Sequence, residues 1–401
     1  MPRATQKSRI PFSSQQRKIL LSLASVVGLR MLGLFLVLPV FTLYGLQFTK
    51  SYFLAGLAFG SYALVMAILQ IPMGRLSDHI GRRKVLMLGM TLFSLGSFIC
   101  AVPHLFPHGM QIGVLIAGRL VQGGGAIVSV AFATVADHIE EENRSTAMAV
   151  LGIPIGAAFV VGIIAGPILA GWFGTASLFW LTGLLGLLTD LLLASYLPDA
   201  PPSAKKPAPL SEVLKNTRLL ALDVGGFIMN FFMTTFFFFF PIIVTKQHGV
   251  KMTHYYAILL PMIFISGITM FGFTRAADRG WAKPLSAIAY LLFVPSSLML
   301  FSPGTFGFNP DGLTGVIVAG TLFYIGFTGL EPILPTLVSK SGPESAYGTS
   351  LGAYNSVQFF GSFVGGSVAG ALARYSNVGI MSTLIAASLI GFLLMLAGSK
   401  S

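Results

Sequence analysis

Apolar runs of about twenty residues recur along the whole chain, and no other feature constrains its fold as strongly. A helix needs about 20 mostly apolar residues to cross the hydrocarbon of a bilayer. That measure places roughly twelve spans, near 18–46, 52–73, 83–103, 110–134, 145–171, 176–197, 217–245, 252–273, 282–301, 313–338, 344–373 and 378–398. Backbone polar groups in lipid must be satisfied internally, so the spans are expected to be helices; a barrel would read as short alternating strands. The charged fraction agrees, at 9% against roughly 25% in soluble domains. The apolar stretch from Ile19 to Leu46 follows a basic N-terminus and ends in no A-x-A cleavage pattern. It reads as a first, uncleaved span. The expected fold class is an all-α membrane protein.

A net charge of +12 would suit a nucleic-acid binder, but the cations sit in short segments between apolar runs. If the N-terminus is cytoplasmic, that side collects its own basic cluster together with Arg75, Arg82, Arg83, Lys84, Arg144, Lys205, Lys206, Lys215, Arg218, Arg275, Arg279, Lys283, Lys340 and Lys400. The other side keeps Lys50, Lys246, Lys251 and Arg374. The positive-inside bias therefore predicts both termini in the cytoplasm. A Pro-rich segment at 198–209 reads as a linker. It divides the chain into a six-span half at 1–197, a connection at 198–216 and a second six-span half at 217–401. Asp78 with Arg82 and Arg83 after span two, and Asp278 with Arg279 and Lys283 after span eight, hint at a parallel repeat. The lone Cys100 excludes an intramolecular disulfide or a multi-cysteine metal site. The histidines lack metal-ligand spacing, and no nucleophile motif or carboxylate cluster suggests an enzyme.

Three segments carry more information. The first is Gly74-Arg-Leu-Ser-Asp78-His-Ile-Gly81-Arg82-Arg83. Its two glycines allow a tight turn between helices, and Asp78 can cap a helix or pair with a basic neighbour. The second is Arg119-Leu-Val-Gln122-Gly123, whose named residues share one helix face. An arginine so far from the helix ends should face a cavity or a partner; the alternative is that it only ties helices together. The third is Gly162-Ile-Ile-Ala-Gly166-Pro167-Ile-Leu-Ala-Gly171. There the glycines permit close helix approach and the proline bends the helix. Together they resemble signatures of the major facilitator superfamily, the third being similar to its antiporter element. Leu29-Arg30 to Pro39 and Glu331-Pro-Ile-Leu-Pro335 look like the YajR-type efflux branch, whose members can carry a C-terminal cytosolic domain that is lacking here. The resemblance implies two six-helix halves around a central cavity, alternating access, a monomer and no cofactor beyond a proton gradient.

Ionisable residues inside a membrane are functional candidates. Here they are Arg30, Arg119, Asp190, Asp223 and Glu331. Glu331 is the candidate proton carrier, since an isolated carboxyl in a low-dielectric site can load and release a proton; its alternative role is a fixed salt bridge or a cap. Asp190 and Asp223 lie near the expected cytoplasmic ends and are compatible with an interfacial position. Tyr347, Ser350, Tyr354 and Gln358 recur at helical spacing beside Asn355, so they are expected to line a cavity, and Asn230 likewise. The run Phe236–Phe240 covers every side of its helix. Asp137 and Arg144 are expected to join Asp78, Arg82 and Arg83 in a charge network that latches the outward-facing state, rather than form a merely solvated loop. The expected function is proton-coupled efflux of a small amphipathic molecule across a bacterial inner membrane. The alternative is symport or uniport of a small polar solute such as a sugar or an organic anion. The bilayer and the cargo are the expected partners, with no nucleic acid.

Overall fold

The computed structural model describes residues 12–140, 143–198, 210–301, 312–342, 347–374 and 377–397. Twelve long helical spans occupy them: α1 (Ser14–Val37), α2 (Tyr52–Ile80), α3 (Arg82–Ala101), α4 in two segments (His108–Gly123 and Val128–His138), α5 (Arg144–Phe173), α6 (Thr175–Tyr196), α7 (Thr217–Ile242), α8 (Tyr256–Ala276), α9 (Ala282–Phe301), α10 (Leu313–Ser341), α11 (Tyr347–Leu372) and α12 (Asn377–Ala397). No strand occurs among the described residues. The linker residues 199–209 and the side chains of Arg144 and Tyr347 lie outside them.

Two expected spans prove discontinuous. The first ends at Val37, and a separate short helix, Phe41–Gly45, follows. Pro39 explains the break through its missing N–H, which ends the ladder of helix hydrogen bonds, while Leu38 before it keeps helical backbone and still donates to the Leu34 carbonyl. The fourth breaks at 124–127, where consecutive glycines weaken the helix. Conversely, α2 runs straight through Gly74 to Ile80. The turn into α3 is made by Gly81 alone, at φ 99°, a backbone region where only glycine avoids a steric penalty. The start of α1 is fixed locally. At α1, the Ser13 hydroxyl accepts from the Gln16 N–H at 3.1 Å while the Gln16 side chain accepts from the Ser13 N–H at 2.9 Å, a capping box.

The packing repeats. In the first half α1 packs on α5 and α6, α3 on α4 and α6, and α2 on α4. Six helices later the same pairings recur: α7 on α11 and α12, α9 on α10 and α12, and α8 on α10. The hint given by Asp78 and Asp278 thus extends to the whole architecture, that of two related six-helix halves. Large apolar side chains such as Leu191, Phe264 and Phe271 remain exposed on its flanks, as lipid-facing positions should.

The halves meet along two symmetry-related seams, α2 with α11 and α5 with α8. The first is the closer. A Cβ on Gly56 would strike the carbonyl of Gly366 and the Gly370 backbone, and one on Gly60 would strike the backbone of Phe363. The second is closed by Gly171 of α5 against Thr253, just before α8. These glycine contacts lie at the end remote from the basic loops. That end is sealed.

Candidate functional site

In the first half, two arginines are buried at the level of the helix midpoints. Arg30 on α1 has no exposure. Its guanidinium donates to the Tyr62 hydroxyl at 2.6 Å and to the Met66 sulfur at 3.2 Å, and it stands 5.7 Å from the centre of the Phe93 ring. Arg119 on α4 is 5% exposed. Its guanidinium lies 4.8 Å from the Phe41 ring and 4.7 Å from the Tyr62 ring. It donates to Gln122 Oε1 at 2.5 Å, and Gln122 in turn donates to the Ser97 hydroxyl at 2.8 Å. Tyr62 therefore joins the two cations, offering its hydroxyl to one and its ring to the other. No carboxylate of the described residues pairs with either arginine. Rings and neutral acceptors carry the charge instead, through cation–π contact. Gly123 shares this face and lies against the Tyr62 backbone.

The second half is built differently. All of Phe236–Phe240 is buried, so the run faces neighbours rather than lipid. Phe236 stacks on Phe323 at 3.8 Å, and Phe232 stacks on Phe293 at 4.3 Å. The same half carries two carboxyl groups within its helices. Asp223, in the second turn of α7 at its basic end, is 3% exposed with Oδ1 unpartnered, so its carboxyl is buried among helices. Glu331 is in the middle of α10 and yet exposed.

The direction of Glu331 follows from helix geometry. Tyr324, Phe327 and Glu331 recur at i, i+3 and i+7, one stripe of α10. Tyr324 and Phe327 meet Phe159 of α5 across the two halves, at 6.2 and 6.1 Å between ring centres. Glu331 is on the same stripe, one turn closer to the basic end. Opposite it on α5, a Cβ at Gly152 or Gly156 would meet nothing within 4 Å. Between α5 and α10 a cleft thus opens toward the basic end, roofed by Phe159, Tyr324 and Phe327, while on the other side α11 keeps contact with α2 and with the second segment of α4. Glu331 faces into it.

At the basic end, Arg82 pairs with Asp78 at 2.6 Å and with Asp137 at 2.8 Å, and also donates to the Ser77 hydroxyl. Asp78 caps no helix; it sits in the last turn of α2, while Gly81 occupies the N-cap of α3. Arg83 reaches the Ala194 carbonyl of α6 at 2.6 Å. The network Asp78–Arg82–Asp137 ties α2, α3 and α4 together within one half and is complete while the cleft stands open at this end. Of the charge network expected here, these pairs hold Asp78, Arg82 and Asp137 together, and the Arg144 side chain lies outside the described residues.

Several expected cavity residues pack between helices instead. Tyr354 and Ser350 on α11 are buried, Tyr354 against Gly226 of α7 and Ser350 against Gly342. Asn230 is buried, accepting from the Ser362 hydroxyl at 3.1 Å and reaching the Gly226 carbonyl at 3.5 Å. Asn355 and Gln358 keep partial exposure; they share a face of α11 opposite the exposed Phe360. Asp190 is half-buried and bonds to the Thr91 hydroxyl at 2.9 Å. Gly162 and Gly166 lie against the α1 backbone at Phe35 and Leu36, and Pro167 is accommodated within α5. Sequence reasoning passed over Tyr62, Phe159, Tyr324 and Phe327. An aromatic ring in an apolar run carries no signal of its own. Gln70, buried with its whole carboxamide unpartnered, was also missed, although a polar side chain in mid-span could have flagged it.

Comparison with known proteins bears on this arrangement. The sequence model of the family described as the Major Facilitator Superfamily matches residues 23–366. The inner membrane transport protein YajR of Escherichia coli (strain K12) is 31% identical over 362 residues, covering 88% of this chain and 77% of that protein. The multidrug resistance protein MdtL of Shigella flexneri is 26% identical over 283 residues, 68% of each chain. Among solved structures, a D-xylose-proton symporter superposes with a TM-score of 0.73 at 16% identity, covering 94% of this chain and 96% of its own.

Proposed function

Because this chain belongs to the major facilitator superfamily of transporters, we propose that it is a proton-coupled antiporter that exports a small amphipathic molecule by alternating access. Glu331 carries the reading. It is the carboxyl that faces the cleft, on the one stripe of α10 that also closes against the other half. A proton and a cargo arriving in that cleft compete for the same side chain. The lysine and arginine bias sets the basic end in the bacterial cytoplasm, so the open cleft is placed to load cargo for export. The multidrug-resistance name of a relative favours the same direction. Arg30 and Arg119, buried among rings and neutral acceptors, shape the potential around it without exchanging protons, and Asp223 is a second buried carboxyl in the half that carries Glu331. We take the protein to act as a monomer in the inner membrane, with the proton gradient as its energy source. In proteoliposomes an imposed proton gradient should drive cargo out of the compartment facing the basic end, and Glu331→Gln should abolish that dependence. Gradient-driven transport that survives Glu331→Gln unchanged would sink the assignment.

A second reading is symport or uniport of a small polar solute, an organic anion in particular. Two buried guanidinium groups without acid partners favour it. Cargo moving with the proton rather than against it would decide for this alternative.

A further inference from the structure

The break in α4 leaves backbone donors unpaired inside the first half. The second segment starts at Val128, and its first hydrogen bond runs from the Ala131 N–H to the Ile127 carbonyl. The N–H groups of Val128, Ser129 and Val130 therefore have no acceptor among the described residues. Backbone groups within a membrane span have to be satisfied inside the protein. The start of this 11-residue helix also carries the positive end of its dipole.

Gln70 of α2 stands beside that turn. The Ser129 hydroxyl donates to the Gln70 carbonyl at 2.9 Å, while the Gln70 side chain has no exposure and both ends of its carboxamide are unpartnered. Its direction follows from its neighbours, since Met66, Gln70 and Met73 share one stripe of α2. A Cβ on Gly89 would meet the Met73 methyl, the Ile127 side chain and the Gly124 carbonyl together, so the stripe faces the break. At the other end of the stripe, Met66 accepts from the Arg30 guanidinium at 3.2 Å. Phe93 ties Arg30 to the break from α3 as well, with its ring beside the guanidinium and its Cβ against Gly125. Arg30 Nε is buried and unpartnered, and no carboxylate of the described residues pairs with the guanidinium.

We propose that the amides of Val128, Ser129 and Val130, the Gln70 carboxamide and Arg30 hold a small monovalent anion of the size of chloride. Donors outnumber acceptors at this place, and its two sources of fixed charge, the guanidinium and the helix end, are both positive. Rings and neutral acceptors soften the charge of Arg30 without cancelling it, and a buried cation without a counter-charge is heavily penalised. An anion answers the amides and the charge together, whereas a water would answer the amides alone. Arg30 and Gln70 have no exposure, so the ion is resident and distinct from the cargo. It pins α1 and α2 to the broken helix, and Arg30 then carries no information about the charge of what is transported.

The test unfolds the full-length protein in nanodiscs by heat, replacing gluconate with chloride at constant ionic strength. Above the dissociation constant, the midpoint is expected to rise by about 2 °C for each tenfold increase in chloride. Gln70→Glu tethers a carboxylate at the same place. Its midpoint in gluconate should equal or exceed that of the wild type, and chloride should no longer move it. A wild-type midpoint indifferent to chloride would overturn the proposal, as would an equal chloride response in Gln70→Glu. Should that variant not fold, equilibrium dialysis of the wild-type protein with radioactive chloride takes its place. A single ion retained per chain against excess gluconate is the expected result, and retention of none would overturn the site.

Discussion

The two halves share one pattern of helix pairings and fill it with opposite chemistry. In the first, two guanidiniums are locked by Tyr62, Phe41, Phe93 and Gln122. In the second, stacked rings around Phe236 and Phe323 form the interior, and the charges are the lone carboxyls Asp223 and Glu331. Arginine cannot give up its proton in a protein, whereas a carboxyl can. The half with fixed charge is thus suited to hold a field constant, and the half with titratable charge is suited to respond.

The comparison breaks most visibly at Glu331. Glu331→Gln should remove all gradient-driven transport while leaving the unfolding temperature close to wild type. A variant that instead unfolds would show the carboxyl to be structural. The next largest effect is expected in the aromatic core, where Phe323→Ala should cost about 3–5 kcal/mol of stability, read by thermal unfolding in detergent. Tyr62→Phe deletes only the hydroxyl that accepts from Arg30 and keeps the ring over Arg119. It should cost about 1.5–3 kcal/mol and leave proton coupling intact; altered coupling with unchanged stability would mean that the arginine lock takes part in the response. The smallest effect separates the two copies of the repeat. Asp78→Asn breaks a partly buried pair with Arg82 and should cost about 1 kcal/mol, whereas Asp278→Asn, at an exposed position, should produce no resolvable shift.

Much of this architecture was legible in the sequence, because span length is set by bilayer thickness and charge by topology. The twelve spans follow from apolar length, and Arg30, Arg119 and Glu331 stood out because ionisable residues are rare in apolar runs. Direction was harder to read. Tyr354 and Asn230 bear the polar groups expected of a cavity wall, yet Gly226 leaves room for the Tyr354 ring and Ser362 occupies Asn230. Which side of a helix faces a neighbour depends on residues far away in the chain. The same limit hid the roof of the cleft, since Phe159 and Phe327 look like any other apolar side chain until both helices are in place. The breaks at Pro39 and Gly124 were readable from local chemistry and were outweighed by hydrophobic length.

The seam between α2 and α11 has a further consequence. Gly56, Gly60, Gly366 and Gly370 meet there backbone to backbone, and glycine has no rotamers to lose. At these four positions the joint can roll without freezing or freeing a side chain, and the rings that accompany it, Phe359 and Phe363, lie nearer the basic end. The thermodynamic resistance to the stroke is then concentrated where α5 meets α10, at the rings of Phe159, Tyr324 and Phe327, and that is where a change in temperature should register in the rate.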